Sequence, residues 1–369
     1  MTLKIERLAK TDQLLLQAAF CSADRTQKAW NTWQKGVDFD DFRSDRLYLV
    51  PQLYHNLSQS GIKTPVIQKL KGIYHYTWLK NQDNWQLFKN TLLAFSSVDI
   101  IPLFLQETAL VLEDDRVNAA FPFNQMNLYV RSNEAEKTFT VLRNTGWIPY
   151  PTVPQHHTRS FIEAATEQAF FSSSQLTLNL NWILMRTGSF DEDIWTKAVQ
   201  VGKWGYKPNL EHQIIYACLP HRRSKFIYDL DLLMFMLRHN PLIQWNYLIA
   251  EAQKHRVMFF LKNALFAISE LCDVLVPHEV ISQLIELEPE RTKLTEYMLV
   301  RWDHGYIKRM KSLWLDYTFI QGHELSRELI VGFPRFLQKR WCLDRMGDIP
   351  VFAIRKVYRD LFGRFNLQG

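Results

Sequence analysis

Glycine is scarce in this chain, 13 residues of 369, about half the roughly 7% of an average protein. No G-x-G-x-x-G and no G-x-x-x-x-G-K-[ST] occurs, which excludes the common loops whose backbone N–H groups cradle a dinucleotide or a triphosphate. H-E-x-x-H and a nucleophile elbow are missing too, so the usual metalloprotease and serine hydrolase patterns have no support. The four cysteines, Cys21, Cys218, Cys272 and Cys342, lie far apart in a chain large enough to fold without staples. They read as buried thiols rather than a disulfide framework. Long apolar runs are absent as well. The stretch from Val257 to Val276 is interrupted by Lys262, Glu270 and Asp273, and a bilayer span needs roughly 20 predominantly apolar residues. Lys4, Glu6, Arg7, Lys10 and Asp12 occupy the region where a signal peptide carries its apolar core. The expectation is a cytoplasmic protein with no membrane partner.

Apolar residues make up 47% of the chain, enough for packed cores, and 44 basic against 38 acidic residues leave a net charge of +6. The first ninety residues carry helical periodicity. Gly36-Val37-Asp38-Phe39-Asp40 reads as a turn and cap before Leu47, Val50, Leu53, Tyr54 and Leu57. Thr64-Pro65 reads as a cap with proline at the first helical position. It opens a helix of about thirty residues through Trp78, Phe88 and Phe95. The period then changes. Asp99 to Leu105 is a strand candidate with Pro102 against a central position, and Met126 to Val130 is another. Asn133-x-x-Glu136 predicts a capping box for a helix closed by Gly146. Phe161 to Ser174 fits short strands or a hairpin. Leu176 to Trp182 alternates, with Leu176, Leu178, Leu180 and Trp182 on one face. From Leu210 onward the helical period returns. The expected division is a helical region 1–97, an α/β core 98–186 and a helical region 187–369.

Several segments in this order resemble a bacterial family of nucleotidyltransferases built on the DNA polymerase β-like fold. The likeness runs from Gly36 to about Pro277. Ile101-Pro102-Leu103-Phe104-Leu105-Gln106-Glu107 sits where that family has "IP…LKG", and Phe123-Asn124-Gln125-Met126-Asn127-Leu128-Tyr129-Val130 where it has "F-G-D-x-D-L-L-V". Leu178-Asn179-Leu180-Asn181-Trp182 corresponds to "V-E-L-H-W", His212 to Leu233 to a segment with a histidine pair and a "D…LL" run, and Gln244 to Leu248 to "DW…L". The resemblance implies an α+β protein, a mostly helical chain around a small mixed-sheet core. It also implies a D-x-D strand that holds Mg²⁺ and a triphosphate. Residues two apart on a strand share a face, so such a pair presents two carboxylates to one site, and a neighbouring strand adds a third.

At those positions this chain has amides. Gln125 and Asn127 replace the two aspartates, Asn179 the glutamate and Asn181 the histidine, while Gln106-Glu107 replaces Lys-Gly. An amide carries no charge and cannot act as a base. The expectation is a degenerate pocket with no confident catalytic residue and no metal, in which Gln106, Glu107, Gln125, Asn127 and Asn179 contact a ligand. The function that follows is a pseudoenzyme binding a small molecule, a peptide or a protein partner, with no cofactor. The alternative is an active transferase that uses Mg²⁺ and a nucleoside triphosphate at a displaced metal site, with Glu107 or Glu113, Asp114 and Asp115 as substitute ligands.

Other signals have blander readings. Asp229-x-Asp231 lies in a helical pattern, where residues two apart point away from each other. Cys218-x-x-His221 is half a zinc motif without its second half. His156-His157 reads as a solvated loop. The basic finish with Arg335, Lys339, Arg340 and Arg345 could meet RNA, but a net +6 over this length fits the edges of packed helices better.

Overall fold

A computed structural model describes residues 8–37, 48–112, 121–174, 176–185, 189–219, 230–240, 242–272, 275–287, 310, 313–314, 316–318 and 327–362. The turn at Asp38 to Asp40, the acids at 113–115, His221 and Asp229 lie outside them.

The chain opens with helices α1 (Lys10–Phe20), α2 (Ala23–Gly36), α3 (Val50–Gln59) and α4 (Ile67–Ser96). After them come β1 (Leu103–Phe104), α5 (Gln106–Val111), β2 (Gln125–Tyr129), α6 (Ala135–Asn144), β3 (Ile148–Tyr150), α7 (Thr158–Glu163), β4 (Glu167–Phe171) and β5 (Thr177–Asn181). The remainder is α8 (Phe190–Thr196), β6 (Val199–Val201), β7 (Gly205–Lys207), α9 (Leu210–Cys218), α10 (Leu230–His239), α11 (Trp245–Lys254), α12 (Met258–Leu271), α13 (His278–Glu286), α14 (Arg327–Arg340) and α15 (Ile349–Phe362). The class is α+β and helix-rich. No described helix is long and apolar enough to cross a membrane. Two compact units share the chain, Met1–Leu128 with Glu192–Thr292 and Tyr129–Asp191 with Lys293–Gly369.

In the first unit, sequence spacing sets the helical faces. Thr26, Ala29, Trp30 and Trp33 repeat at three and four residues, so α2 buries one stripe and its two indoles stack at 5.2 Å. Helix α4 has the thirty residues that its periodicity predicts. It starts at Ile67 behind Val66 without a side-chain cap, and Thr64 instead accepts a hydrogen bond from Gln34 at 2.8 Å. The expected strand from Asp99 shrinks to the two residues of β1, since Pro102 has no N–H to give a ladder. Its place in the order β2-β1-β7-β6 is nevertheless interior. The β6–β7 hairpin falls within residues 187–369, where only helices were expected. It joins β1 in parallel, with Leu103 opposite Tyr206. A Cβ at Gly205 would collide with the Pro102 carbonyl, so this close approach requires glycine.

The cysteines depart from expectation. Cys21, at the end of α1, and Cys272, at the end of α12, form a disulfide with Cα atoms 5.5 Å apart. Helix packing brings together residues that sequence separation hides. Cys218 is a buried free thiol, as expected, and Cys342 is free and half-buried.

In the second unit, β3, β4 and β5 form an antiparallel meander. Leu176 to Trp182 does alternate, but Asn179 and Asn181 on its polar face are buried as well. Phe139 of α6, Phe161, Phe170 and Trp182 pack edge to face with centroids 5.0–6.4 Å apart, and the Trp182 indole donates to the Ala165 carbonyl at 2.9 Å. The capping box at Asn133 and Glu136 does not form. A 3₁₀ turn over Ser132–Glu134 leads into α6 instead, and Ser132 donates to the Trp182 carbonyl at 2.8 Å. Around Ala164, the residues Tyr317, Phe336 and Leu337 bury a smaller core.

Candidate functional site

Two asparagines on α4 set the strand that carries the amide positions. Asn81 donates to the Phe121 carbonyl at 2.7 Å and accepts from the Phe123 N–H at 2.7 Å, and Asn84 donates to the Phe123 carbonyl at 2.6 Å. A carboxamide offers a donor and an acceptor together, so it matches the backbone of an incoming strand as another strand would. Asn81→Ala strands two buried backbone groups and is expected to cost about 2 kcal/mol. Chemical denaturation of the variant measures this, and a loss below a few tenths of a kcal/mol would mean that water replaces the clamp.

On β2, Gln125 and Asn127 share a face. Gln125 Nε2 donates to Asn127 Oδ1 at 3.0 Å, and Asn127 Nδ2 donates to Glu107 Oε2 at 3.3 Å. The strand is tied to α5 by Asn127 N–H to Thr108 Oγ1 at 2.9 Å, and to the residue before that helix by Leu105 N–H to the Asn127 carbonyl at 2.9 Å. Gln106 enters α5 with φ of +51°, a left-handed conformation that costs a side-chain-bearing residue energy. The next residue, Glu107, faces the amide pair. Burial pushes its carboxyl up to about 7, and the charge of Asp231 in the first turn of α10 adds to the rise, against the hydrogen bonds from its own backbone and Asn127. Asp231, dismissed on helical grounds, thus belongs to the surroundings of Glu107. The helix is real, and tertiary packing supplies the neighbour that the two-residue spacing could not.

Among the expected ligand residues the first unit brings together Glu107, Gln125 and Asn127, and Gln106 precedes Glu107 at the start of α5. Asn179 and Asn181 lie on β5 in the second unit, in register with Ala169 and Glu167. There Asn181 O accepts from the Val130 N–H at 3.0 Å. His156 and His157 meet Asp344, with His157 Nε2 at 3.0 Å and His156 Nε2 at 3.7 Å from the same oxygen.

A second polar cluster in the first unit escaped the sequence reading. His212 of α9 places Nε2 3.0 Å from Glu251 Oε2 on α11, and His255 Nε2 lies 3.4 Å from that oxygen and 3.1 Å from Asp193 Oδ2. Lys197 holds Glu251 Oε1 at 3.1 Å, and Lys254 holds Asp193 Oδ2 at 2.5 Å. Burial pushes both imidazoles below the ordinary histidine range despite the pull of Glu251. Burial also opposes the charge of Glu251, yet the hydrogen bond from Lys197 holds its carboxyl below the usual range. The only trace in the sequence is Glu251-x-x-x-His255, a spacing common on any helix.

Residues 43–273 match the model of a family described as uncharacterised nucleotidyltransferase. No curated protein and no solved structure matches the chain.

Proposed function

We propose that this chain, which belongs to the uncharacterised nucleotidyltransferase family, acts as a pseudoenzyme. In this reading it binds a small molecule, a peptide or a protein partner through the polar face formed by Gln106, Glu107, Gln125 and Asn127, without metal-dependent nucleotide transfer. The observation that carries this reading is the hydrogen-bonded chain from Gln125 through Asn127 to Glu107. Mg²⁺ prefers hard, usually anionic oxygens. Here Asn127 Oδ1 already accepts from an amide, and the one carboxyl of the chain is poised to hold a proton near neutral pH. This donor set does not fit a two-metal triphosphate site. It suits a ligand that offers its own donors and acceptors, such as a peptide amide. Asn179 enters only through the resemblance to the family's glutamate position.

One observation favours the alternative, an active transferase with a displaced metal site. The charge of Asp231 acts on Glu107, so a second carboxyl belongs to its surroundings. Calorimetry with the four nucleoside triphosphates, with and without Mg²⁺, separates the two readings. The pseudoenzyme shows no Mg²⁺-dependent nucleotide binding, whereas micromolar affinity that requires Mg²⁺ and disappears in Asp231→Asn would establish the displaced site.

A further inference from the structure

The geometry points to a divalent transition-metal site, of the kind that takes Zn²⁺, formed by His212 Nε2, His255 Nε2 and Glu251 Oε2 in the first unit. These three atoms lie within 4.8 Å of one another, and all three residues are buried. The two nitrogens stand 3.0 and 3.4 Å from the shared oxygen. Ligands bound tetrahedrally at about 2.0–2.1 Å from zinc are themselves ~3.3 Å apart. The set is also chemically apt, because imidazole nitrogen and carboxylate oxygen are both common zinc ligands.

Proton placement supplies the second argument. Asn209 caps α9, and its Oδ1 accepts from the His212 backbone N–H at 3.0 Å. The same oxygen lies 2.6 Å from His212 Nδ1, so that nitrogen must carry a proton. In neutral His212 the lone pair of Nε2 then faces a carboxylate oxygen at 3.0 Å. His255 can relieve the same contact by keeping its proton on Nε2. His212 cannot, because Asn209 has fixed its tautomer. Either a second proton is taken up between the buried ring and Glu251, or a cation sits there. A metal ion satisfies His212, His255 and Glu251 at once. Asn209 then has the place usual for a residue that receives the distal N–H of a metal-bound histidine. Lys197 and Lys254 bond Glu251 Oε1 and Asp193 Oδ2, atoms outside the ligand set, and both lysine side chains reach solvent. The fourth position is left to water. This inference does not rest on the pseudoenzyme reading, since it concerns α9 and α11 rather than the face beside β2.

The test uses the full chain after chelation, in a His156→Ala, His157→Ala background that removes the other grouping, with Asp344. Titration with Zn²⁺ by calorimetry is expected to give one site per chain with submicromolar Kd. His212→Ala and His255→Ala should each weaken it at least a hundredfold, and Asn209→Ala about ten- to a hundredfold. Co²⁺ added to the chain with the site intact should give the intense visible bands of a four-coordinate ion, and Zn²⁺ should abolish them. This readout stands even where a histidine variant fails to fold. Absence of stoichiometric Zn²⁺ binding, or binding that survives loss of His212 in a folded variant, would overturn the proposal. So would a metal-free chain whose nitrogen-15 spectrum shows His212 as an imidazolium unchanged by Zn²⁺.

Discussion

Reduction of the Cys21–Cys272 bond is expected to lower the stability of the first unit by about 2–4 kcal/mol. The bond joins positions 251 residues apart, and chain-entropy arguments place loops of this length near the upper end of what one cross-link contributes, roughly 5 kcal/mol. The measured loss should be smaller, because other contacts already hold the two helix ends. Gln17 donates to the Leu271 carbonyl at 3.2 Å, and Arg25 donates to the Glu270 carbonyl at 3.0 Å. Both sulfurs belong to buried residues, 3% and 1% exposed, so reduction under native conditions should be slow and should speed up where the unit opens. Thermal unfolding with and without reductant, alongside Cys21→Ser, checks the expectation. Thiol titration of the denatured chain should find two free cysteines before reduction and four after. Four free thiols in a chain purified without reductant would remove the bond from the account of stability.

Replacing Glu107 with glutamine is expected to stabilise the chain above pH 7 by up to about 3 kcal/mol, and to change little near pH 4. The sign follows from the raised carboxyl. Burial lifts Glu107 from an ordinary 4.5 to about 7 in the folded chain, with Asp231 adding to the effect. Below the ordinary value the group is protonated whether the chain is folded or not, and there is no penalty. As pH rises toward 7 the unfolded chain gives up its proton while the folded one retains it, so the stability held at low pH drains away. Glutamine keeps an acceptor for Asn127 Nδ2 and carries no charge at any pH. Denaturation midpoints from pH 4 to 8 should therefore fall for the parent chain relative to Glu107→Gln. Parallel curves would show that water or a cation reaches the carboxyl. If Mg²⁺ alone restores the parent chain at pH 8, the displaced metal site gains the support that the pseudoenzyme loses.

Local pattern exposed much of this fold and little of its chemistry. The thirty residues of α4 and the period-two run through β5 follow from side-chain spacing, and both are present. The segment leading to β1 has ambiguous spacing, and the β6–β7 hairpin is three residues a side, too short for a period to register. Gln125, Asn127 and Glu107 were named by their positions in a recognisable order of segments. A helical pattern relates Asp231 only to residues near it along the chain, whereas its electrostatic partner, Glu107, comes from α5. The same limit hid His212 from Glu251, and Cys21 from Cys272. Each of these relations depends on how helices cross, which no count along the chain contains.

The division of the chain also separates what is inherited from what can fold. Residues 43–273, the stretch shared with the family, take most of one unit and the first half of the other, and end just past Cys272 while leaving Cys21 behind. A fragment cut at those limits would keep β3 to β5 but lose Tyr317, Phe336 and Leu337, which cover Ala164. It would also lose α1 and α2, with the paired indoles of Trp30 and Trp33. The portion of this protein that can be exchanged between relatives is thus not a portion that can be lifted out. An exchange between relatives must therefore carry Cys21 and the residues around Tyr317 together with the shared stretch.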